Sequence, residues 1–151
     1  MTLEVRPIAA SDEVIWRDLF QQYATFYKTS FSEDVMKGVW SWLMSADHPE
    51  RGFVAVLENK VVGFAHLQRQ VDTFRASVSW FLDDLFVSPE VRGQGVASAL
   101  LTHLRHYANQ HGGGDIRWIT AADNQTAMSV YDGLATKTSW VFYEMPEDSA
   151  Q

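Results

Sequence analysis

A chain of 151 residues, 46% hydrophobic and 21% charged, fits one compact domain with a core of its own and leaves no room for a second. Nineteen acidic residues against twelve basic ones give a formal net charge of −7, which argues against nucleic acid or an anionic membrane held through bulk electrostatics. Cysteine is absent, so disulfides, thiolate zinc sites and an acyl-cysteine intermediate are excluded.

The chain starts Met-Thr-Leu-Glu-Val-Arg-Pro, without a basic segment followed by an apolar one, and no apolar run approaches the ~18 residues of a membrane span. A cytoplasmic protein is the expectation. A strand is expected from Glu4 to Ile8, after which Ser11 caps a helix with Asp12 and Glu13 in its first turn and Ile15, Leu19, Tyr23 and Phe26 on one buried face. Ser30 and Glu33 have capping-box spacing for a second helix, with Val35, Val39, Trp42 and Leu43 as its stripe. Asp47 to Gly52 breaks the chain, and Glu58-Asn59-Lys60 turns Phe53–Leu57 back into Val61–Leu67 as a hairpin.

A long strand follows from Ser77 to Val87, then an amphipathic helix from Gln94 to Gln110 ended by Gly112-Gly113-Gly114. Ile116 to Thr120 reads as a short strand, and Asn124 opens a helix carrying Ala127, Val130, Tyr131 and Leu134. Thr138 to Met145 has the pattern of a last strand, with a frayed polar tail over about 147–151. No repeat or linker divides residues 1–151. Because a helix separates the strand ending at Val87 from the one at Ile116, those two should lie parallel in an otherwise antiparallel sheet. The expected fold class is α/β, an open mixed sheet flanked by helices.

The most informative stretch is Val87-Ser88-Pro89-Glu90-Val91-Arg92-Gly93-Gln94-Gly95-Val96-Ala97-Ser98, a strand running through a glycine loop into a helix. Gly93 and Gly95 remove side chains where the backbone turns, so the N–H groups of residues 93 to 98 can converge on an anion at the positive end of the helix. Ser98 breaks the three-glycine dinucleotide fingerprint, and no Gly-Lys-Ser/Thr occurs.

Arg92-x-x-Gly95-x-Ala97 directly after a strand resembles the cofactor motif of the GNAT superfamily of acetyl-CoA-dependent N-acetyltransferases, and the order of elements from Leu3 to Met145 is similar as well. The resemblance implies a GNAT-like fold with acetyl-CoA as the cofactor. Its pyrophosphate would lie on Arg92, Gly93, Gln94, Gly95, Val96, Ala97 and Ser98, with Leu85, Phe86 and Val87 along the pantetheine arm. Asn124, Ala127 and Tyr131 would form the opposite wall, since members of the superfamily have an Asn opening this helix and a Tyr seven residues on that faces the thioester sulfur. Phe81-Leu82-Asp83-Asp84-Leu85-Phe86-Val87 is most similar to the spermidine/spermine acetyltransferase branch. In that branch the residue matching Asp83 removes a proton through water and the one matching Asp84 holds a cationic substrate. Related enzymes are often homodimers, which implies the same here.

Chemistry constrains these roles independently. Acetyl transfer needs a neutral amine, whereas an alkylammonium has a pKa of about 10.4, so a base must take the proton. Asp83 and Asp84 are the best-placed carboxylates, although consecutive strand residues point to opposite faces unless the strand is distorted. Tyr131 can donate to the departing thiolate. Tyr23, Tyr27, Trp40 and Trp42 could wall an acceptor cleft, and Tyr27 is retained as a substrate contact. His103 and His106 share a helix face but lack a third ligand, so no metal is expected; His66 alternates with Phe64 in a strand and has no evident partner. The expected activity is acetylation of a small cationic amine such as a polyamine. Amino acids, protein lysines of the histone-tail kind and a non-catalytic acyl-CoA sensor are the alternatives.

Overall fold

The computed structural model describes residues 2–147. Five strands form one sheet in sequence order: β1 (Leu3–Pro7), β2 (Glu50–Leu57), β3 (Lys60–Asp72), β4 (Ser77–Val87) and β5 (Ile116–Arg117). The first four are antiparallel, and β5 lies parallel to β4 through Trp80–Ile116 and Phe81–Arg117 alone. The helices are α1 (Glu13–Phe26), α2 (Glu33–Leu43), α3 (Val96–Gln110) and α4 (Gln125–Asp132). The expected mixed α/β sheet with a parallel crossover is the observed one.

Strand alternation sorts the core into two layers. Phe53, Ala55, Leu57, Ala65, Leu67, Trp80 and Leu82 pack against Val96, Leu100, Leu101 and Leu104 of α3. On the other face Val54, Phe64 and Phe86 meet Trp16, Leu19 and Phe20 of α1 and Met36 and Leu43 of α2. The β2–β3 hairpin turns on Glu58 and Asn59, whose φ angles of 51° and 65° suit a two-residue hairpin turn of matching twist.

Several local expectations are corrected. Asp12, not Ser11, precedes α1. Its carboxylate accepts from the Ala9 N–H at 2.8 Å and pairs with Arg6, whose guanidinium holds that carboxyl below its ordinary range. The buried stripe of α1 is Trp16, Leu19, Phe20 and Ala24, while Phe26 is exposed. Ser32 rather than Ser30 caps α2, accepting from the Val35 N–H at 3.2 Å, which rotates its buried face to Met36 and Leu43 and exposes Val35 and Trp42. β2 begins at Glu50, inside the segment read as a break, and β5 ends at Arg117 instead of Thr120. Thr138 to Met145 forms no strand; Trp140 through Tyr143 and Met145 are exposed. The expected tail over 147–151 lies outside the described residues except for Glu147.

Candidate active site

Because β4 and β5 pair only at their beginnings, the sheet splits where β4 runs on to Val87. A cleft of about 540 Å³ occupies the split. Its walls come from Tyr23 and Phe26 of α1 and Tyr27 just after it, Leu82 to Val87 of β4 apart from Asp84, the loop into α3, residues 118–120, and Asn124, Thr126, Ala127, Val130 and Tyr131 at α4. Of the residues assigned to cofactor or substrate from the sequence, Asp84 and Gln94 do not line this cleft, and neither do Trp40, which packs on Trp16, and Trp42, which stacks on His48.

At one end lies the glycine loop. Gly93 and Gly95 both have φ of +82°, a left-handed backbone that side-chain-bearing residues rarely adopt. A Cβ at either would meet no atom within 4 Å, so the loop is open on that side. The N–H groups of residues 93 to 98 donate to no carbonyl among the described residues; the first donor to be used is Ala99, to Gly95 O at 3.0 Å. Unused donors at a helix N-terminus, with Arg92 beside them, are the donor set a pyrophosphate requires. Arg92 Nε donates to Val87 O at 3.2 Å, and its guanidinium lies 5.7 Å from the centre of the Phe86 ring.

On the α4 wall, Asn124 Oδ1 accepts from the Ala127 N–H at 3.3 Å and so caps the helix that presents Tyr131. The Tyr131 ring packs edge-on against Trp118 with centres 5.4 Å apart. Its hydroxyl has no hydrogen-bond partner among the described residues. Burial, with a smaller contribution from Tyr27, raises its pKa further above the ordinary phenol value, so it keeps its proton near neutrality.

The acidic end is built by a bulge. His66 pairs with Asp84 and Leu67 with Leu82, which leaves Asp83 as an extra residue in β4. Leu82 and Leu85 remain on the α3 face, while both aspartates reach polar partners on the α1 face. Asp84 Oδ2 is 2.8 Å from His66 Nδ1. Trp16 Nε1 donates to His66 Nε2 at 2.9 Å, which leaves that nitrogen without a proton; Nδ1 therefore carries the ring's hydrogen and donates it to Asp84. Tyr23 also bonds Asp84, and burial together with that negative charge raises the Tyr23 phenol far above its ordinary range.

Asp83 accepts from Gln68 Nε2 at 3.4 Å and bonds Glu50, which stands opposite Gln68 across the β2–β3 pair. Glu50 is only 6% exposed. Its burial, then its hydrogen bond and repulsion with Asp83, push its carboxyl up to about 8, and burial also raises Asp83. Two carboxyl groups in contact cannot both ionise cheaply, so they share a proton. Sequence reading gave Glu50 no role, yet its register with inward-facing Val54 was a usable signal. His66 acquires in Trp16 and Asp84 the partners that could not be named from sequence. His103 packs against Phe53, and no group of three or more potential metal ligands occurs among the described residues.

Known proteins resemble the chain in sequence and in fold. The chain is 25% identical over 142 residues to the D-amino-acid N-acetyltransferase HPA3 of Saccharomyces cerevisiae, spanning 93% of this chain and 88% of that protein. It is 27% identical to the uncharacterized N-acetyltransferase YhfO of Bacillus subtilis, over 93% and 95% of the two chains. The fold matches that of AAC(6')-Iy in complex with the bisubstrate analog CoA-S-monomethyl-acetylneamine, with a TM-score of 0.84, 21% identity and 98% and 100% of the chains covered. Residues 15–134 match the model of the acetyltransferase (GNAT) family. With the open glycine loop, the Tyr131 phenol on α4 and the carboxylates on a bulged β4 all within the matched span, the chain belongs to the GNAT family of acetyltransferases, whose acetyl donor is acetyl-CoA.

Proposed function

We propose that the chain acetylates a small polycationic amine, a polyamine being the first choice. The observation that carries this reading is the charge of the acceptor end. Asp83 lines that end, with Glu50 in contact behind it and Asp84 next to it in β4, and Arg92, at the opposite end, is the one cation among the described lining residues. A dication is attracted to such a wall, whereas a substrate carboxylate finds no partner near it.

Acetyl-CoA, when bound, supplies a thioester carbonyl and a thiolate leaving group. Residues 93 to 98 hold its pyrophosphate. Asp83, drawing on the proton-sharing contact with Glu50, removes a proton from the incoming ammonium through water, because a carboxyl raised by burial is a stronger base than an ordinary one. With acetyl-CoA bound, its carbonyl would be open to the freed lone pair, and Tyr131, on the α4 wall, would hold the proton that the departing thiolate would take. Tyr27, at the cleft mouth beside Tyr23, offers a ring face to the alkylammonium chain.

Amino acids are the second reading, favoured by the match to a D-amino-acid N-acetyltransferase. A thiol-release assay over diamines, spermidine, D- and L-amino acids and a lysine peptide separates the two. Spermidine or a diamine should exceed every amino acid in kcat/KM by at least about tenfold, the order of one lost charge contact. An amino acid at the head of the series would overturn the polyamine reading, and no release with any amine would leave an acyl-CoA-binding domain.

A further inference from the structure

We propose that Trp16, His66, Asp84 and Tyr23 are positioning residues whose hydrogen bonds run in one direction and leave the Tyr27 oxygen as a pure acceptor, which holds an N–H of the substrate amine. This role rests on the chain being an amine acetyltransferase and not on which amine it takes.

The direction starts in the core. An indole N–H can only donate, and Trp16 Nε1 donates to His66 Nε2 at 2.9 Å, with both rings buried. His66 Nδ1 therefore carries the ring hydrogen and gives it to Asp84 Oδ2 at 2.8 Å. A carboxylate only accepts, so Tyr23, which also bonds Asp84, is its second donor. Tyr23 bonds Tyr27 as well. With its hydrogen committed to Asp84, Tyr23 can meet Tyr27 only as an acceptor, so the Tyr27 hydroxyl donates to it. Tyr27 has then used its single hydrogen inside the chain of bonds. What it offers the cleft is an oxygen with lone pairs and nothing to donate.

Packing holds the phenols in this order. Tyr23 lies edge-on to Tyr27 with ring centres 5.0 Å apart, and Phe64 and Phe86 pack edge-on against Tyr23 from the sheet. Asp84 does not line the cleft, whereas Tyr23 and Tyr27 do, so an amine meets the phenols in place of that carboxylate. Tyr27 is also near enough to Tyr131 to act on its phenol electrostatically, which sets it beside the place of attack. An attacking nitrogen aims its lone pair at the carbonyl carbon, and its N–H bonds then point away from that carbon. An acceptor oxygen behind the nitrogen fixes this pose. The same oxygen disfavours a substrate carboxylate, which has no hydrogen to give it.

Asp84→Asn tests the direction with little change of shape. The substituted amide can still accept from His66 through its oxygen, and it turns an N–H towards Tyr23. Tyr23 must then donate to Tyr27, whose hydroxyl becomes a donor into the cleft. Tyr27→Phe keeps the ring face and removes the oxygen. With the amine of highest kcat/KM, each substitution should lower kcat by about tenfold and leave the KM for acetyl-CoA within about threefold. The double variant should fall no further than the weaker single one, because Asp84 acts through the Tyr27 oxygen. Losses that multiply to about a hundredfold in folded protein, or full turnover in Tyr27→Phe, would overturn the proposal. Nitrogen-15 spectra of the unsubstituted chain need no substrate and should show His66 protonated on Nδ1 and bare on Nε2. A hydrogen on Nε2 would overturn the direction of the bonds. Absence of turnover with every amine would overturn the acetyl-transfer reading itself, and the amine contact with it.

Discussion

Replacing Glu50 by Gln separates the proton-sharing pair from an ordinary buried polar contact. Glu50 has an ordinary carboxyl value of 4.5 and is pushed up to about 8 in the folded chain, chiefly by burial and then by Asp83. The folded chain thus retains a proton that the unfolded chain releases above pH 4.5. Its contribution to stability is fully present below that pH, falls as pH rises towards 8, and is gone above it. At about 1.4 kcal/mol per pKa unit, the loss across this window is on the order of 3–5 kcal/mol. Glu50→Gln cannot ionise, and its amide can donate to Asp83, so its melting temperature should be nearly flat over the window and should exceed the parent's at pH 9 by roughly 5 °C or more. In the same variant the amide still donates to Asp83, but the pair can no longer release the proton whose loss is pushed up to about 8, so the strongest base of the site is gone. The acid limb of kcat/KM should move down by about a pH unit, and turnover at pH 8 should fall roughly tenfold. Thermal melts from pH 5 to 9 and thiol-release kinetics from pH 5.5 to 10 provide both readouts. Parallel melting curves together with an unmoved acid limb would refute the shared proton.

Tyr131→Phe keeps the ring on Trp118 and removes only the hydroxyl, so turnover should fall by roughly 10² with acetyl-CoA affinity nearly unchanged, measured by calorimetry and steady-state kinetics. Gly95→Glu places an anion and a disfavoured backbone at the open side of the cradle, where φ is +82°, and calorimetry should detect no acetyl-CoA binding. Asp84→Asn weakens the acceptor for both His66 and Tyr23 and should lower stability by about 1–3 kcal/mol in urea titration; an unchanged midpoint alongside a raised KM would instead place Asp84 on the substrate.

The parts of the fold that were legible rest on local chemistry. Glycines 93 and 95, the turn at Glu58-Asn59 and the Asn124 cap each specify a backbone shape within a few residues, and each stands where expected. The helix stripes were displaced because the aromatic residues permit more than one apolar face. On α1, Ile15, Leu19, Tyr23 and Phe26 compete with Trp16, Leu19, Phe20 and Ala24. Trp16 wins because its indole N–H can meet His66, a contact fifty residues away that periodicity does not encode.

The acidic end shows why pairs across a sheet are harder to read than motifs. Asp83 and Asp84 were visible as neighbours, and a strand distortion was recognised as the condition for both to serve one site. That distortion comes from the β3–β4 register, where His66 meets Asp84 and Leu67 meets Leu82. Once Asp83 is extruded, its carboxyl falls beside Gln68 and the buried Glu50 of β2, thirty-three residues earlier in the chain. Neither glutamate nor aspartate is an unusual base alone. Contact under burial makes the pair basic near neutral pH, and contact is a property of register. The last strand is the same problem in another form. Thr138 to Met145 has strand chemistry, but among the described residues it pairs with no strand and its large side chains are exposed, because β-forming residues specify an extended conformation only where an edge receives their hydrogen bonds.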